Sequence, residues 1–275
     1  MTDVVLYIHW PWCKSKCNYC DFYNTKISKR KVDYESFVIK LEEELHYFKN
    51  IHKEPRIKSI HIGGGTPSTI PTIFLKRIIK NIYKKFTLFE NTEISIEVNP
   101  EDVNDSVLAS YKKLGINRLS IGIQSISNPV LKWLNREHDR EKSLESINSA
   151  VKYFKNISID LIYGVPETDT EKWLLDLDIL SNFPITHITL NEFSHKNSSY
   201  DILKFQERDF FTKINKLLKR KNFISYETSN FTKAGFVSKY NLAVFNMTNI
   251  LGLGPSAHSR IVSKGKIFLM QNVSS

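Results

Sequence analysis

The sequence predicts an α/β protein: a partial (β/α)6 barrel, TIM-like in plan, built on a parallel sheet. Three observations lead there. Short β-branched runs alternate with amphipathic stretches, the pattern of successive βα units. The length of 275 residues suits one barrel-sized domain. Polar or glycine-rich residues recur at the same end of successive runs, where a parallel barrel builds its site.

The elements follow in order. VVLYIH (4–9), IKSIHI (57–62), TEISIEV (92–98), INRLSIGI (116–123), ISIDLIY (157–163) and ITHITLNEF (185–193) are the six strands, rich in residues that suit a pleated surface. Between them lie helical patterns over 34–48, 72–86, 106–115, 129–134 with 142–154, and 169–180. Gly115 stands where a helix C′ glycine belongs, and Asp105–Ser106 offers an N-cap. A further helix over 201–221 and a strand near 223–231 come next. Residues 1–200 thus read as a core barrel and 201–275 as an extension packing on it. The first strand ends in the loop WPWCKSKCNYCDFYN (10–24), the second in GGGTPS (63–68), the third in EVNPE (97–101) and the fourth in GIQS (122–125). The fifth carries Asp160 inside its apolar run, and the sixth ends in Asn191–Glu192. Together they form one rim, the candidate site.

Hydrophobic content of 41% and charged content of 25% are those of a soluble globular protein. No apolar run approaches the roughly 18 residues that cross a membrane, and the first residues lack a secretory pattern. A cytoplasmic address is the expectation. The net charge of +10 raises the question of nucleic acid. In KRIIKNIYKK (76–85) and KINKLLKRK (213–221), however, Ile and Leu recur at helical spacing and the basic residues form the solvated face. No nucleic-acid partner is expected.

All three cysteines of the chain, Cys13, Cys17 and Cys20, lie in the first loop at C-x3-C-x2-C spacing. An odd cluster of this kind makes a poor disulfide framework. Three thiolates can hold one corner of an iron–sulfur cube that normally takes four, leaving one iron open to an external ligand. Two other readings stand beside this one. Zinc could take the three thiols and His9, or the thiols could simply be buried together. A structural zinc loop gives no reason for the glycine run and polar residues on neighbouring strand ends.

At this point a family resemblance enters. C-x3-C-x2-C after the first strand resembles the radical S-adenosylmethionine (SAM) superfamily. Tyr7–Ile8–His9–Trp10–Pro11–Trp12–Cys13, GGGTPS, EVNPE, LSIGIQS, LNREHD, DLIYGVP, YETSNF and LGLGPSAHS together resemble its oxygen-independent coproporphyrinogen III oxidase-like branch, over nearly the whole chain. The resemblance implies a radical SAM barrel, a [4Fe–4S] cluster and SAM, whose sulfonium the reduced cluster cleaves. It makes Cys13, Cys17 and Cys20 the ligands and sets Tyr7 and Tyr19 beside sulfonium and cluster. It assigns Gly64, Gly65 and Thr66 to a backbone edge along methionine, where a Cβ would obstruct contact. Glu97 is assigned to the methionine ammonium and Arg136 to its carboxylate, each a charge-assisted pair, and Gln124 and Asp160 to the ribose hydroxyls. Taken alone, Glu97 could cap the following turn, Arg136 could pair with Glu137 at the surface, and Gln124 could be an ordinary loop amide. Asp160 is harder to set aside, because a carboxylate in an apolar run needs a partner. No side chain is assigned a catalytic role.

Two functions share these motifs: the coproporphyrinogen III dehydrogenase of porphyrin biosynthesis, and the HemW-type heme chaperone that resembles it. The dehydrogenase has a further cysteine two residues after the third ligand and a substantial segment before its first strand. Here Cys20 is followed by Asp21–Phe22 and the first strand comes at once, as in the chaperone type. That resemblance implies heme or porphyrin, a heme-acceptor protein, and a low-potential electron donor such as flavodoxin or ferredoxin. The chaperone type carries His-Asn-x-x-Tyr-Trp, thought to serve heme binding. The matching stretch runs Tyr240–Asn241–Leu242–Ala243–Val244–Phe245, so Tyr240 or a rim histidine is the candidate heme ligand. His258 reads as a loop histidine bonded to backbone, and His61 as packing or facing the barrel interior. The family's further C-terminal helical domain is expected to be absent. A non-catalytic remnant or zinc-binding module is the third reading.

Overall fold

β1 (Thr2–Trp10) runs into the cysteine loop, where β2 (Trp12–Cys13) and β3 (Thr25–Lys26) pair as a small sheet of their own. Then come α1 (Tyr34–Ile51), β4 (Pro55–Gly64), α2 (Thr72–Lys85), β5 (Thr87–Val98), α3 (Asp105–Lys113) and β6 (Arg118–Gln124). α4 (Asn128–Trp133), α5 (Arg140–Tyr153), β7 (Ile157–Tyr163), α6 (Thr170–Ser181) and β8 (His187–Glu192) complete the six units. α7 (Arg208–Arg220), β9 (Ile224–Ser225), β10 (Asn230–Thr232), α8 (Lys239–Phe245), β11 (Asn249–Leu253), β12 (His258–Ser263) and β13 (Lys266–Gln271) follow. The computed structural model describes residues 2–29, 31–51, 55–166, 168–193, 208–263 and 265–273. The boundary expected at residue 200 and the first seven residues of the helix expected over 201–221 lie outside them. Among the described residues no helix is long and apolar enough to cross a membrane.

β1, β4, β5, β6, β7 and β8 lie side by side in chain order, every neighbour parallel. Parallel neighbours need long crossovers, which the helices supply. The barrel does not close. β11 takes the free edge of β1 and β10 that of β8, giving one eleven-stranded sheet. The strand expected near 223–231 is two short antiparallel ones, β9 and β10. Glu227 separates them by closing a turn, its carboxylate accepting from the Ser229 amide (2.8 Å) and from Asn230. The N-cap expected at Asp105–Ser106 falls one residue earlier. Asn104 Oδ1 accepts from the Val107 amide at 3.0 Å. Gly115 takes the left-handed conformation expected of it, φ 85°.

Side chains alternate faces along a strand. Ile60, Ile62, Ile94, Ile96, Leu119, Ile121, Ile157 and Ile159 point outward and share one core with Leu41, Leu75, Ile147 and Leu177 of the helices. The intervening residues make the barrel interior polar: His61, Ser95, Glu97, Arg118, Ser120, Ser158, Asp160, His187 and Thr189. At its floor, buried Arg118 donates from Nη1 to Asn156 Oδ1 (2.8 Å) and to the Phe236 carbonyl (3.2 Å). Buried Glu93 accepts from the Lys239 and Tyr240 amides (3.1 and 3.4 Å), capping α8. His187 lies between Ser158 Oγ (2.8 Å) and the Tyr226 hydroxyl (2.9 Å), and burial pushes its pKa well below the ordinary histidine value. The C-terminal segment is thereby fastened across the floor, and among the described residues the strand ends opposite stay open.

Candidate functional site

The open end holds a cavity of about 460 Å³, a volume suited to a nucleotide-sized ligand. Eleven of the twelve expected site residues line it: Cys13, Cys17, Tyr19, Cys20, Gly64, Gly65, Thr66, Glu97, Gln124, Arg136 and Asp160. Tyr7 does not. Its hydroxyl meets His9 Nδ1 at 2.9 Å and its ring stacks on His61, centroids 6.0 Å apart, one ring back from the wall. His258, read as a loop residue, is the exposed first residue of β12 and lies off the wall.

The cysteine loop is stitched to the end of β4 by backbone. The Gly65 amide donates to the Trp10 carbonyl (2.6 Å) and the Thr66 amide to that of Trp12 (2.8 Å). A Cβ on Gly65 would stand 2.6 Å from the Trp12 oxygen and 3.0 Å from Cys13 Sγ, so only glycine admits this approach. Each sulfur meets a donor. Arg136 Nη1 donates to Cys17 Sγ at 3.4 Å, Asn24 Nδ2 to Cys20 Sγ at 3.5 Å, and Thr66 bonds Cys13. Burial pushes the Cys13 thiol up to about 11, with the Thr66 bond opposing, so it becomes a thiolate readily only on binding metal.

The zinc reading loses its fourth ligand. Both nitrogens of His9 are engaged, Nδ1 with Tyr7 and Nε2 with the Tyr23 carbonyl at 2.9 Å. Among the described residues no three His, Cys, Asp or Glu side chains converge on one ion position. Three thiols spread along a cavity wall, each beside a donor, fit a multi-iron cluster instead.

The polar wall comes from strand ends. Arg136 is no surface partner of Glu137: its Nη2 donates to Asn99 Oδ1 (2.8 Å) and the Gly122 carbonyl (3.0 Å), and its Nη1 also reaches the Tyr19 hydroxyl (3.4 Å). Burial opposes its charge, but Tyr19, Cys17 and Glu101 outweigh burial and hold its pKa up. Its Nε is buried with no hydrogen-bond partner among the described residues, a donor left for a ligand. Glu97 caps no turn. His61 Nε2 donates to its Oε1 at 3.0 Å and the Gly64 amide to its Oε2 at 3.2 Å. Asp160 accepts from Ser120 Oγ at 3.1 and 2.9 Å. Burial, then the Glu97 charge, pushes it up to about 6 against the pull of Ser120, Thr189 and Arg118. Gln124 is left-handed, φ 64°, where the β6–β7 register shifts, and lies on the wall rather than in a free loop.

Asn99, Ser120, Thr189 and Asn24 were not anticipated. Single polar residues inside isoleucine-rich strands were the available signal for Ser120 and Thr189. Asn99 lies within EVNPE, where nothing local marks it as the partner of Arg136.

The radical SAM superfamily pattern matches residues 7–177. The heme chaperone HemW of Buchnera aphidicola subsp. Schizaphis graminum is 32% identical over 268 residues, covering 95% of this chain and 71% of that protein. The mitochondrial radical S-adenosyl methionine domain-containing protein 1 of Bos taurus is 29% identical, covering 94% of this chain and 61% of that one. The structure of coproporphyrinogen III oxidase (HemN) from Escherichia coli superposes with a TM-score of 0.83 at 23% identity, covering 100% of this chain and 67% of that chain, a likeness of fold. Superfamily membership implies a [4Fe–4S] cluster and SAM. The chain belongs to the radical SAM superfamily and, within it, to the HemW heme-chaperone family.

Proposed function

We propose that this protein binds a [4Fe–4S] cluster through Cys13, Cys17 and Cys20, binds SAM beside it, and carries heme to an acceptor protein. The observation that carries the reading is the cysteine loop: three thiols on one cavity wall, each beside a hydrogen-bond donor. When bound, the reduced cluster supplies the electron that cleaves the SAM sulfonium. Glu97 receives the methionine ammonium, and the unpartnered Nε of Arg136 the carboxylate. Gln124 and Asp160 take the ribose hydroxyls, and the Gly64–Thr66 edge lies along methionine. Tyr19 packs beside the cluster and supports Arg136. A low-potential flavodoxin or ferredoxin supplies the electron, in the cytoplasm.

The cysteine loop favours this reading over coproporphyrinogen oxidation: Cys20 is followed by Asp21–Phe22, without the dehydrogenase's further cysteine. Among the described residues the cavity wall carries Glu97, Asp160 and Glu192 together with Arg136. These carboxylates favour the cationic SAM. Titrating the reconstituted protein with heme is expected to show stoichiometric binding and transfer to an apo-acceptor, with no protoporphyrinogen formed from coproporphyrinogen III. Turnover of coproporphyrinogen III would overturn the chaperone reading.

A further inference from the structure

We infer that Tyr240 is a positioning residue of the SAM site, holding His61 and, through it, the Glu97 carboxylate. The inference rests on the reading that Glu97 receives the SAM ammonium. The Tyr240 ring stacks on His61 with centroids 4.6 Å apart and planes 18° from parallel. Tyr7 completes the group, 6.0 Å from each of the other two rings. The stack holds the imidazole by its plane, and two hydrogen bonds hold it at the edge. Nδ1 meets Ser95 Oγ at 2.8 Å, and Nε2 meets Glu97 Oε1 at 3.0 Å.

Glu97 needs such support. Its side chain is 36% exposed, it lines the cavity, and among the described residues its partners are His61 and the Gly64 amide. A carboxylate free to rotate must be ordered when it grips a ligand, which weakens binding; one already held does not. His61 supplies the holding, and Tyr240 keeps its ring edge aimed at Glu97.

Tyr240 is itself firmly placed. α8 is capped by Ser238 Oγ on the Asn241 amide (3.2 Å) and by Glu93 on the Lys239 and Tyr240 amides. At its other end Arg260 Nη2 donates to the Val244 carbonyl (2.8 Å). Tyr240 does not line the cavity, so it acts through His61. A segment more than a hundred residues away in sequence thereby sets the affinity of the SAM site.

The test measures SAM affinity on anaerobically reconstituted protein by equilibrium titration, following the reduced cluster by EPR, with heme titrated in parallel. Tyr240→Leu is expected to weaken SAM binding by ~tenfold, a coupling of ordinary size for packed neighbours, with iron content and heme affinity unchanged. Tyr240→Phe, which keeps the ring, restores the affinity. His61→Phe keeps the stack but drops the bond to Glu97, and weakens SAM binding by itself. In that background Tyr240→Leu adds nothing. Wild-type affinity in Tyr240→Leu, or in His61→Phe should the leucine variant not fold, overturns the inference. Loss of heme binding in Tyr240→Phe overturns it too, by making the hydroxyl a heme ligand. Glu97→Gln is the control: if it binds SAM as wild type, the assignment of Glu97 fails. If it binds weakly while the other variants do not, only the coupling fails.

Discussion

Cys17→Ala is expected to abolish SAM cleavage outright and leave the fold intact. Three thiolates are the smallest set that holds a cube with one open iron, and two leave a second iron without a protein ligand. Cys17 is half-buried, forms no disulfide and packs in no core cluster, so its sulfur adds little to stability. Cys20 stands in the same position. Cys13 is buried against Gly65, and its loss leaves a small void as well as an empty ligand position. Iron and sulfide analysis after reconstitution, with a melting curve of the iron-free protein, separates the two effects. The expected outcome is iron at background and a melting temperature unchanged for Cys17→Ala. Full cluster content in any of the three alanine variants would remove that thiol from the ligand set.

Asp160→Asn is expected to raise stability and weaken SAM binding together. The carboxyl of Asp160 titrates near 6 in the folded protein against an ordinary 3.8. Between those values the folded chain keeps a proton that the unfolded chain has released, so stability falls as pH rises from 3.8 to 6 and stays lower above. Holding the ionised group at neutral pH costs about 3 kcal/mol. Glu97 and Arg118 are the charges it faces, with Ser120 and Thr189 as its hydrogen-bond partners. Asparagine keeps an acceptor for Ser120 and removes the charge, so the melting temperature rises by several degrees at pH 7, and the gain vanishes below about pH 4. The same change weakens the ribose contact by ~tenfold, the worth of one charge-assisted hydrogen bond. In the unsubstituted protein SAM affinity falls as pH drops through about 6. Equal melting temperatures of the two proteins at every pH would contradict this assignment.

The six parallel strands were legible because isoleucine-rich runs alternate with amphipathic stretches long enough to cross over, and successive βα units place their strands side by side in chain order. The rim was legible for the same reason: GGGTPS, EVNPE and GIQS punctuate equivalent strand ends. What escaped was direction. Arg136 beside Glu137 reads as a surface pair, and nothing local reveals that Asn99, Gly122 and Tyr19 enclose it. Tyr240 reads as a candidate heme ligand, and nothing local reveals that its helix packs on Val5 and Ile250 with the Tyr240 ring stacked on His61. Tyr7 follows the right strand period but sits one ring too deep to touch the cavity. In the sequence β11 shows only as part of a glycine-rich motif, whereas NILGL continues the sheet beyond β1. These misses concern contacts between separate elements, from 14 residues apart (Arg136–Gly122) to 179 (His61–Tyr240), or a short element whose pattern is too brief to declare itself.

The most direct measurement is EPR of anaerobically reconstituted, dithionite-reduced protein before and after SAM is added, with 5′-deoxyadenosine assayed in the same tube. The expected result is a reduced [4Fe–4S] signal that changes on SAM addition, followed by formation of 5′-deoxyadenosine. A protein that takes up no iron, or holds a cluster whose signal ignores SAM and yields no nucleoside, would contradict the cysteine-loop site.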